Sequence, residues 1–272
     1  MDRVQTVPVK SGGRPARWRV RRHGILLPLT LAGGLLVWEA VTSWGSLPAF
    51  LLPPPEAVWA KVLATLVDGS LLRHTWVTLA EVLMGLGLGL GVATALGYLV
   101  AKSRAAERLL APYIVASQSI PIVAVAPLLV IWFGPGRLSK VLICALIVFF
   151  PVLVNTVVGV RSVPEDLRDL MRSLRATRWQ VFTKLEAPAA MPVLMGGMKV
   201  GATLSVIGAV VGEFVGSDEG LGFLINIGRG LYDTSLVFVA VLILITLALG
   251  LYGGVAWLER RLLAWRSREA ST

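Results

Sequence analysis

Apolar residues run through the chain in six long stretches, separated by shorter segments that hold most of the charged residues. A helix needs roughly 20 apolar residues to cross the ~30 Å hydrocarbon core of a membrane. The stretches are continuous and do not alternate between polar and apolar positions, which favours helices over a barrel. The pattern therefore predicts an all-α polytopic membrane protein with six transmembrane helices. The predicted spans cover residues 24–44, 75–101, 109–133, 141–160, 193–215 and 236–258.

The positions of the 26 Lys and Arg residues orient these spans. Twenty of them fall in the two terminal tails and in the loops after the second and fourth spans; five fall on the other side, and Lys199 lies within the fifth span. Because cytoplasmic loops carry the excess of positive charge, both termini are expected in the cytoplasm. Residues 1–23 are then a basic cytoplasmic tail, residues 24–258 the transmembrane domain, and residues 259–272 a second cytoplasmic tail. The first span is longer than the apolar core of a signal peptide, so it is expected to stay uncleaved.

Composition agrees with a membrane protein, because 56% of the 272 residues are hydrophobic and only 15% are charged. The net charge of +10 is explained by topology, so membrane lipid is expected as a partner and nucleic acid is not. The single cysteine, Cys144, excludes an intrachain disulfide and is expected to be a packed side chain. With two histidines besides, no metal site is expected.

A shorter amphipathic segment lies between the first two spans, at residues 51–66. Three consecutive prolines are followed by apolar residues at helical spacing. These residues are Val58, Trp59, Val62, Leu63 and Leu66. The pattern predicts a helix that lies at the outer membrane interface, with Lys61 on its polar side.

The loop at residues 161–192 is long and basic, and it has helical periodicity of its own. Ser162 and Glu165 match a capping box for a first short helix, and Thr177 is placed to cap a second. Two interpretations remain open on the pattern alone. The segment could rest on anionic lipid headgroups, or it could dock into a groove on a cytosolic partner, with Trp179 and Phe182 as anchors.

Within this loop, the segment DLMRSLRATRWQVFTKLEAPAAMP at residues 169–192 resembles the EAA loop of ABC importer permeases. Asp169 stands at the family's Glu position, and Arg175 stands at its Gly position. The two alanines are replaced by Leu170 and Met171, and the motif ends at Pro188. The spacing of the motif is kept, and the Arg at the glycine position bears on the turn between the two short helices.

The resemblance extends over about residues 50–258 and favours the nitrate/sulfonate/taurine-type branch of these permeases. It is carried by SIPIVAVAPLLVIWFG (119–134), VFFPVLVNTVVGVRSVP (148–164) and VIGAVVGEFVGSDEGLGFLI (206–225). Within the branch, the chain is nearest to permeases for thiamine pyrimidine precursors or for riboflavin. Permeases for nitrate, sulfonate or taurine are the alternative.

The resemblance implies the ABC type I importer permease fold and a set of partners in the bacterial inner membrane. These are a second permease copy, two cytosolic ABC ATPase subunits and an extracytoplasmic substrate-binding protein. The chain has no G-x-x-x-x-G-K-[ST] phosphate-binding loop, so ATP and Mg are expected on the ATPase and no cofactor is expected in this chain. The chain itself is not expected to be an enzyme.

Two sets of site residues follow from the resemblance and from the polar positions inside the spans. The ATPase-coupling set is Asp169, Arg172, Ser173, Leu174, Arg175, Ala176, Thr177, Arg178, Trp179, Phe182 and Pro188. The candidate translocation set is Gln118, Ser119, Pro121, Trp132, Asn155 and Glu213. Pro121 and Pro127, with Gln118 and Ser119, are expected to interrupt the third span beside a cavity.

Four charged residues lie in or near the apolar runs, where such residues are candidates for function. They are Glu39, Glu81, Lys199 and Glu213. Glu81 and Lys199 are near span ends, and snorkelling to an interface is expected for both. Glu213 is expected in the pathway or at a dimer interface. Gly85, Gly87, Gly89 and Gly91 predict close helix packing.

Two other classes of protein were weighed against an importer permease. A proton-coupled secondary transporter would use Glu39, Glu81 and Glu213 as a relay, and it would need no structured loop at 161–192. An intramembrane enzyme lacks a nucleophile and base within the spans, because His23 and His74 lie at or outside span ends.

Overall fold

The computed structural model describes residues 17–45 and 48–264, apart from the side chains of residues 17–27 and 31. Over these residues it forms eleven α-helices, and no strand is present among them. The first six are α1 (Arg17–Trp44), α2 (Pro55–Val67), α3 (Ser70–Lys102), α4 (Arg104–Gln118), α5 (Ile122–Phe133) and α6 (Arg137–Arg161). The others are α7 (Glu165–Ser173), α8 (Arg178–Val181), α9 (Ala187–Gly216), α10 (Leu221–Gly230) and α11 (Thr234–Leu262). A π-helical turn, Phe182–Glu186, joins α8 to α9.

Four helices among the described residues are long and apolar enough to cross a membrane. They are α3, α6, the continuous helix Arg178–Gly216 and α11. The pair α4 and α5 is bent by 97° at the break between the two helices, so it counts as one further span at most. The predicted first span, 24–44, falls on α1, and the side chains at its start lie outside the description. The tails at 1–16 and 265–272 lie outside the described residues as well, so the count of six spans and the domain boundaries remain predictions.

The third predicted span is not one continuous helix. It is interrupted as expected, but at Ser119–Pro121 alone, where α4 ends and α5 begins. Pro121 has no N–H to continue the helix, and it disfavours a helical conformation at Ile120. Pro127 lies inside α5 and does not break it.

The chain divides into two compact units, residues 1–57 and 58–272. In the first unit, the Trp38 Nε1–H donates to the carbonyl of Pro53 at 3.0 Å, which ties the proline-rich turn to α1. Glu39 is exposed on α1.

The core of the second unit is formed by α3, α6 and α9, which pack along most of their lengths. Glycines allow the close approach: a Cβ at Gly85 would lie 2.2 Å from the Cβ of Cys144, and one at Gly89 would lie 2.6 Å from the Ala145 carbonyl oxygen. The predicted packing role is therefore confirmed for Gly85 and Gly89, whereas Gly87 and Gly91 face open space. Cys144 is fully buried, as predicted.

The predicted helix after the prolines is confirmed as α2, which begins at Pro55. Its Val58 is buried and its Trp59 is exposed. Lys61 pairs with Asp233 at 2.5 Å, and Asp233 also caps α11 by accepting from the Leu236 N–H. The ion pair therefore fixes α2 against the start of α11.

Candidate functional site

Residues 162–186, which we call the coupling segment, form two short helices joined by a tight turn. The expected capping box at Ser162 is wrong: its hydroxyl donates to the Gly159 carbonyl at 2.8 Å, and α7 has no side-chain cap. The expected cap at Thr177 is confirmed. Its hydroxyl accepts from the Gln180 N–H at 3.3 Å, and the Gln180 side chain accepts from the Thr177 N–H at 2.8 Å.

The turn between α7 and α8 keeps a glycine-like backbone although it carries an arginine. Arg175 has a φ of 50°, in the left-handed region. The Ala176 N–H donates to the Met171 carbonyl at 3.0 Å, and the Arg175 N–H donates to the Arg172 carbonyl at 2.9 Å. This is the Schellman closure of a helix, in which glycine is preferred at the left-handed position. Arg175 therefore holds a conformation that glycine favours, at a backbone cost of roughly 1–2 kcal/mol.

An aromatic cluster forms the contact surface of α8. The Trp179 side chain is 71% exposed, and its ring lies 5.7 Å from that of Phe182. Phe182 in turn contacts the ring of Tyr98 edge-on, at 5.2 Å between centroids. Trp179 is therefore presented outward on a support that reaches into α3.

A buried acid that the sequence reasoning missed holds the coupling segment to α3. Glu186 is only 1% exposed. It accepts from the Tyr98 hydroxyl at 2.9 Å and pairs with Lys102 Nζ at 2.7 Å. The only signal in the sequence is an isolated acid between apolar neighbours and ahead of a proline. Its two partners lie more than 80 residues away.

Two arginines lie close to the junction of α6 with the coupling segment, the first at the end of α6 and the second in α7. Arg161 makes a two-pronged ion pair with Glu107 of α4, with both N–O distances at 2.7 Å. Arg168 donates to the carbonyl of Val160 at 2.8 Å. The segment thus contacts α3 through Glu186 and α6 through Arg168, and α6 in turn pairs with α4.

The opposite end of the bundle has a second polar cluster around the loop Ser217–Gly220, which we call the strap. Glu213 is 1% exposed, and it accepts from the Thr78 hydroxyl at 2.6 Å and from the Gly222 N–H at 2.5 Å. The Thr78 oxygen accepts in turn from the Leu221 N–H at 2.8 Å. These bonds give Glu213 a structural role within the chain, and its role in a pathway stays a prediction.

Lys140 belongs to the same cluster and contacts both Glu81 and Ser217. Its Nζ lies 3.1 Å from a carboxylate oxygen of Glu81 and donates to the Ser217 hydroxyl at 2.6 Å. Glu81 is fully buried, so the expectation that it snorkels is wrong: Lys140 supplies a positive charge inside the bundle. Lys199 does not extend alone either, because it pairs with Glu259 of α11.

The strap is also fixed by two residues of the first turn of α3. The Gly220 N–H donates to His74 Nδ1 at 2.9 Å, and Arg73 pairs with Glu219. The hydrogen bond from Arg73 holds the pKa of Glu219 below its usual range. Gly220 has a φ of 113°, and a Cβ there would lie 2.1 Å from Glu213 Oε1. Only glycine fits at this position.

Two of the predicted translocation residues share a cavity of about 420 Å³ beside the α4–α5 elbow. Gln118 and Asn155 line it, together with Phe150. The Asn155 amide donates to the Pro151 carbonyl at 2.8 Å, which orients its side chain. Of the remaining predicted residues, Ser119 and Pro121 form the elbow, Trp132 is exposed near the far end of α5, and Glu213 is in the strap cluster.

Comparisons with known proteins agree with this architecture. Residues 85–264 match the family model described as "Binding-protein-dependent transport system inner membrane component". The chain is 48% identical to the riboflavin transport system permease protein RibX of Chloroflexus aurantiacus, over 97% of this chain and 99% of the relative. It is 34% identical to the formylaminopyrimidine transport permease protein ThiX of Halalkalibacterium halodurans, over 86% and 93% of the two chains.

A solved structure shares the fold at low sequence identity. The chain in an inward-facing structure of the MetNI methionine ABC transporter matches with a TM-score of 0.63 and 20% identity, over 72% of this chain and 97% of that one. The predicted fold and branch are confirmed by these matches. The chain therefore belongs to the family of binding-protein-dependent transport system inner membrane components, the permease subunits of ABC importers, and is an all-α multi-pass inner membrane protein.

Proposed function

We propose that this permease passes riboflavin into the cytoplasm, as one of two identical copies that are driven by two ATPase subunits and supplied by an extracytoplasmic binding protein. The observation that carries the proposal is 48% identity over nearly the whole length of a riboflavin permease. ATP and Mg belong to the ATPase subunits in this proposal, and both termini of the permease are cytoplasmic.

The cavity at the elbow supports a neutral, flat solute over an anion. Its lining residues are apolar or uncharged, with amides from Gln118 and Asn155 and a ring from Phe150. An aromatic face and amide groups suit a heterocycle that stacks and forms hydrogen bonds. Sulfonate and nitrate would be recognised by cationic side chains, and none lines this cavity. The sulfonate permease SsuC of Bacillus subtilis is a relative at 31% identity, so an anion remains the second candidate.

The coupling segment supports force transfer from an ATPase. Trp179 is exposed, and its aromatic support continues through Phe182 to Tyr98 on α3. A bulky aromatic side chain of this kind is the usual anchor of a protein interface. A partner that moves Trp179 would pull on α3 through the ring contacts and through the Glu186 bonds.

Transport of the solute is tested in vesicles that hold the permease, its ATPase and its binding protein. Riboflavin uptake should require ATP, and a taurine or sulfonate load should not compete. Replacing Asn155 and Gln118 by Leu should lower riboflavin uptake, whereas Leu at Trp76, which is exposed on α3 and does not line the cavity, is the control. Competition by a sulfonate would replace the proposed substrate and leave the importer mechanism intact.

Docking is tested with the double variant Trp179→Ala and Phe182→Ala. It should still insert, but it should co-purify less ATPase and lose ATP-driven uptake. Trp59→Ala, which removes an exposed Trp on α2, is the matched control. Uptake by the permease alone under a proton gradient would contradict the proposal and favour a secondary transporter.

The proposed topology is tested with a reporter fused after Thr272, which should be active only in the cytoplasm.

A further inference from the structure

An apolar groove of about 640 Å³ opens between α3, α6, the coupling segment and α9. Its walls are almost entirely hydrocarbon and aromatic surface. They include Ala95 and Tyr98 of α3, Trp179 and Phe182 of the coupling segment, and Met191 and Leu194 of α9. The groove therefore extends from the end of the bundle along the spanning helices.

A second cavity, of about 630 Å³, adjoins this groove and has the opposite character. It is lined by four cations, Lys102, Arg168, Arg172 and Arg178, and by one acid, Glu186. Tyr98, Arg178 and Glu186 line both spaces, so the two adjoin at these side chains.

The acids near this cavity do not balance its positive charge. Glu186 is already paired with Lys102, and the exposed Asp169 pairs with Arg172 at 2.8 Å. The Nε of Arg168 is buried and has no hydrogen-bond partner among the described residues. Arg168 and Arg178 have no acidic partner among the described residues, so the cavity keeps a net positive charge that favours an anion.

We propose that one anionic phospholipid of the cytoplasmic leaflet occupies both spaces. Its phosphate contacts Arg168 and Arg178, and an acyl chain lies in the groove between α3 and α9. An amphiphile matches the pairing of cationic and apolar walls; a free anion would leave the apolar groove unfilled. The lipid would lie beneath Trp179 and Phe182, so it would support the aromatic cluster against α3. The assignment to the cytoplasmic leaflet rests on the proposed topology.

The test measures phospholipid retained by the full-length permease. The protein is extracted in mild detergent from vesicles of phosphatidylglycerol and phosphatidylethanolamine, and bound lipid is counted by native mass spectrometry. We expect one phosphatidylglycerol per chain. The double variant Arg168→Gln and Arg178→Gln should weaken its retention about tenfold or more, the effect of losing charge-assisted hydrogen bonds. Lys184→Gln removes an exposed cation of the same segment that lines neither space, and it should change nothing.

A second variant tests the groove without changing a charge. Ala95→Trp fills it and should also displace the lipid, whereas Val92→Trp, one turn away and outside the lining, should not. Equal retention in all variants would overturn the proposal. Inorganic phosphate that binds equally well to the wild-type protein and to Ala95→Trp, with no phospholipid retained by either, would show a free-anion site instead.

If bound phospholipid is lost when the ATPase subunits bind, the lipid proposal is overturned and the site belongs to the protein partner. Retention by the permease alone needs no ATPase and no solute. A failure of lipid binding is therefore distinguishable from a failure of the proposed transport function.

Discussion

The strap and the coupling segment are both short polar segments attached to the α3–α6–α9 core, but their charges are buried to different degrees. At the strap, Glu81, Glu213 and Lys140 are all sealed inside the bundle. At the coupling segment, Glu186 alone among the acids is buried, and its partner Lys102 keeps contact with solvent, with 45% of its side chain exposed. Apart from the more exposed pair of Arg73 and Glu219, the strap is therefore held by buried groups that cannot exchange their partners for water, whereas the coupling segment is held through partners such as Lys102 that can.

The difference teaches how one bundle combines a fixed end with a movable one. Breaking a buried charged pair leaves an uncompensated charge, so such contacts resist rearrangement. Exposed ion pairs such as Arg172 with Asp169 contribute little stability. We expect substitutions at the strap to lower the free energy of unfolding, and substitutions at the coupling segment to act mainly on transport.

The largest loss of stability is expected for Glu213→Ala. It leaves the Thr78 hydroxyl and the Gly222 N–H without an acceptor, and each such buried group costs about 1–3 kcal/mol. We expect a total of roughly 4 kcal/mol, seen as a lower thermal midpoint in detergent. Glu165→Ala, at an exposed acid of α7, is the control. Equal midpoints for the two variants would remove the contrast between the two ends.

The next largest effect is expected for Gly220→Ala compared with Gly69→Ala. Both glycines have positive φ, so both substitutions share a backbone cost of roughly 1–2 kcal/mol. Only the Cβ at position 220 would collide with Glu213, which adds roughly 1–3 kcal/mol of overpacking. Chemical denaturation of the two variants measures the difference in their free energies of unfolding. A difference near zero would show that the strap shifts to accommodate the added Cβ.

A smaller loss of stability, with a larger loss of function, is expected for Glu186→Ala. The Lys102 side chain can turn to solvent, so we expect about 1–2 kcal/mol, mostly from the lost hydrogen bonds. ATP-driven uptake should fall much further, because the brace between the coupling segment and α3 is gone. Tyr98→Phe removes one bond of the same brace and should be intermediate, whereas Lys184→Ala should be silent. Full uptake in Glu186→Ala would show that the brace transmits no force.

The smallest effect is a gain, expected for Arg175→Gly. Glycine adopts the left-handed conformation without steric cost, so the turn should be more stable by about 1 kcal/mol. Arg175→Ala keeps the backbone cost and should give no gain. Urea unfolding of the wild type and the two variants measures the difference in free energy of unfolding. A loss of stability in the glycine variant would mean that the arginine side chain holds the turn.

Local features were predictable from the sequence, and distant pairings were not. The cap at Thr177 is predictable because a threonine ahead of a helical apolar pattern is a usual N-cap, and the structure shows that its partner, Gln180, is only three residues away. The predicted capping box at Ser162 is wrong because a serine hydroxyl can instead donate to a carbonyl in the preceding turn, here that of Gly159. The Glu81–Lys140 pair joins residues 59 positions apart on different helices, so no local pattern marks it. Apolar periodicity located the helices, but the angle at Pro121 and the burial of Glu186 depend on tertiary packing.

The elbow between α4 and α5 has a mechanical consequence. At 1.5 Å per residue, helices of 15 and 12 residues are about 22 and 18 Å long, so neither alone crosses ~30 Å of hydrocarbon. Arg161 ties the first rod to α6 through Glu107, and the second packs on α6 and α9 beyond the bend. Each rod is therefore attached to the core on its own side of Ser119–Pro121, and the break between them is where we expect their angle to change. A small rotation there would widen or close the cavity beside the elbow without unfolding a single helical turn.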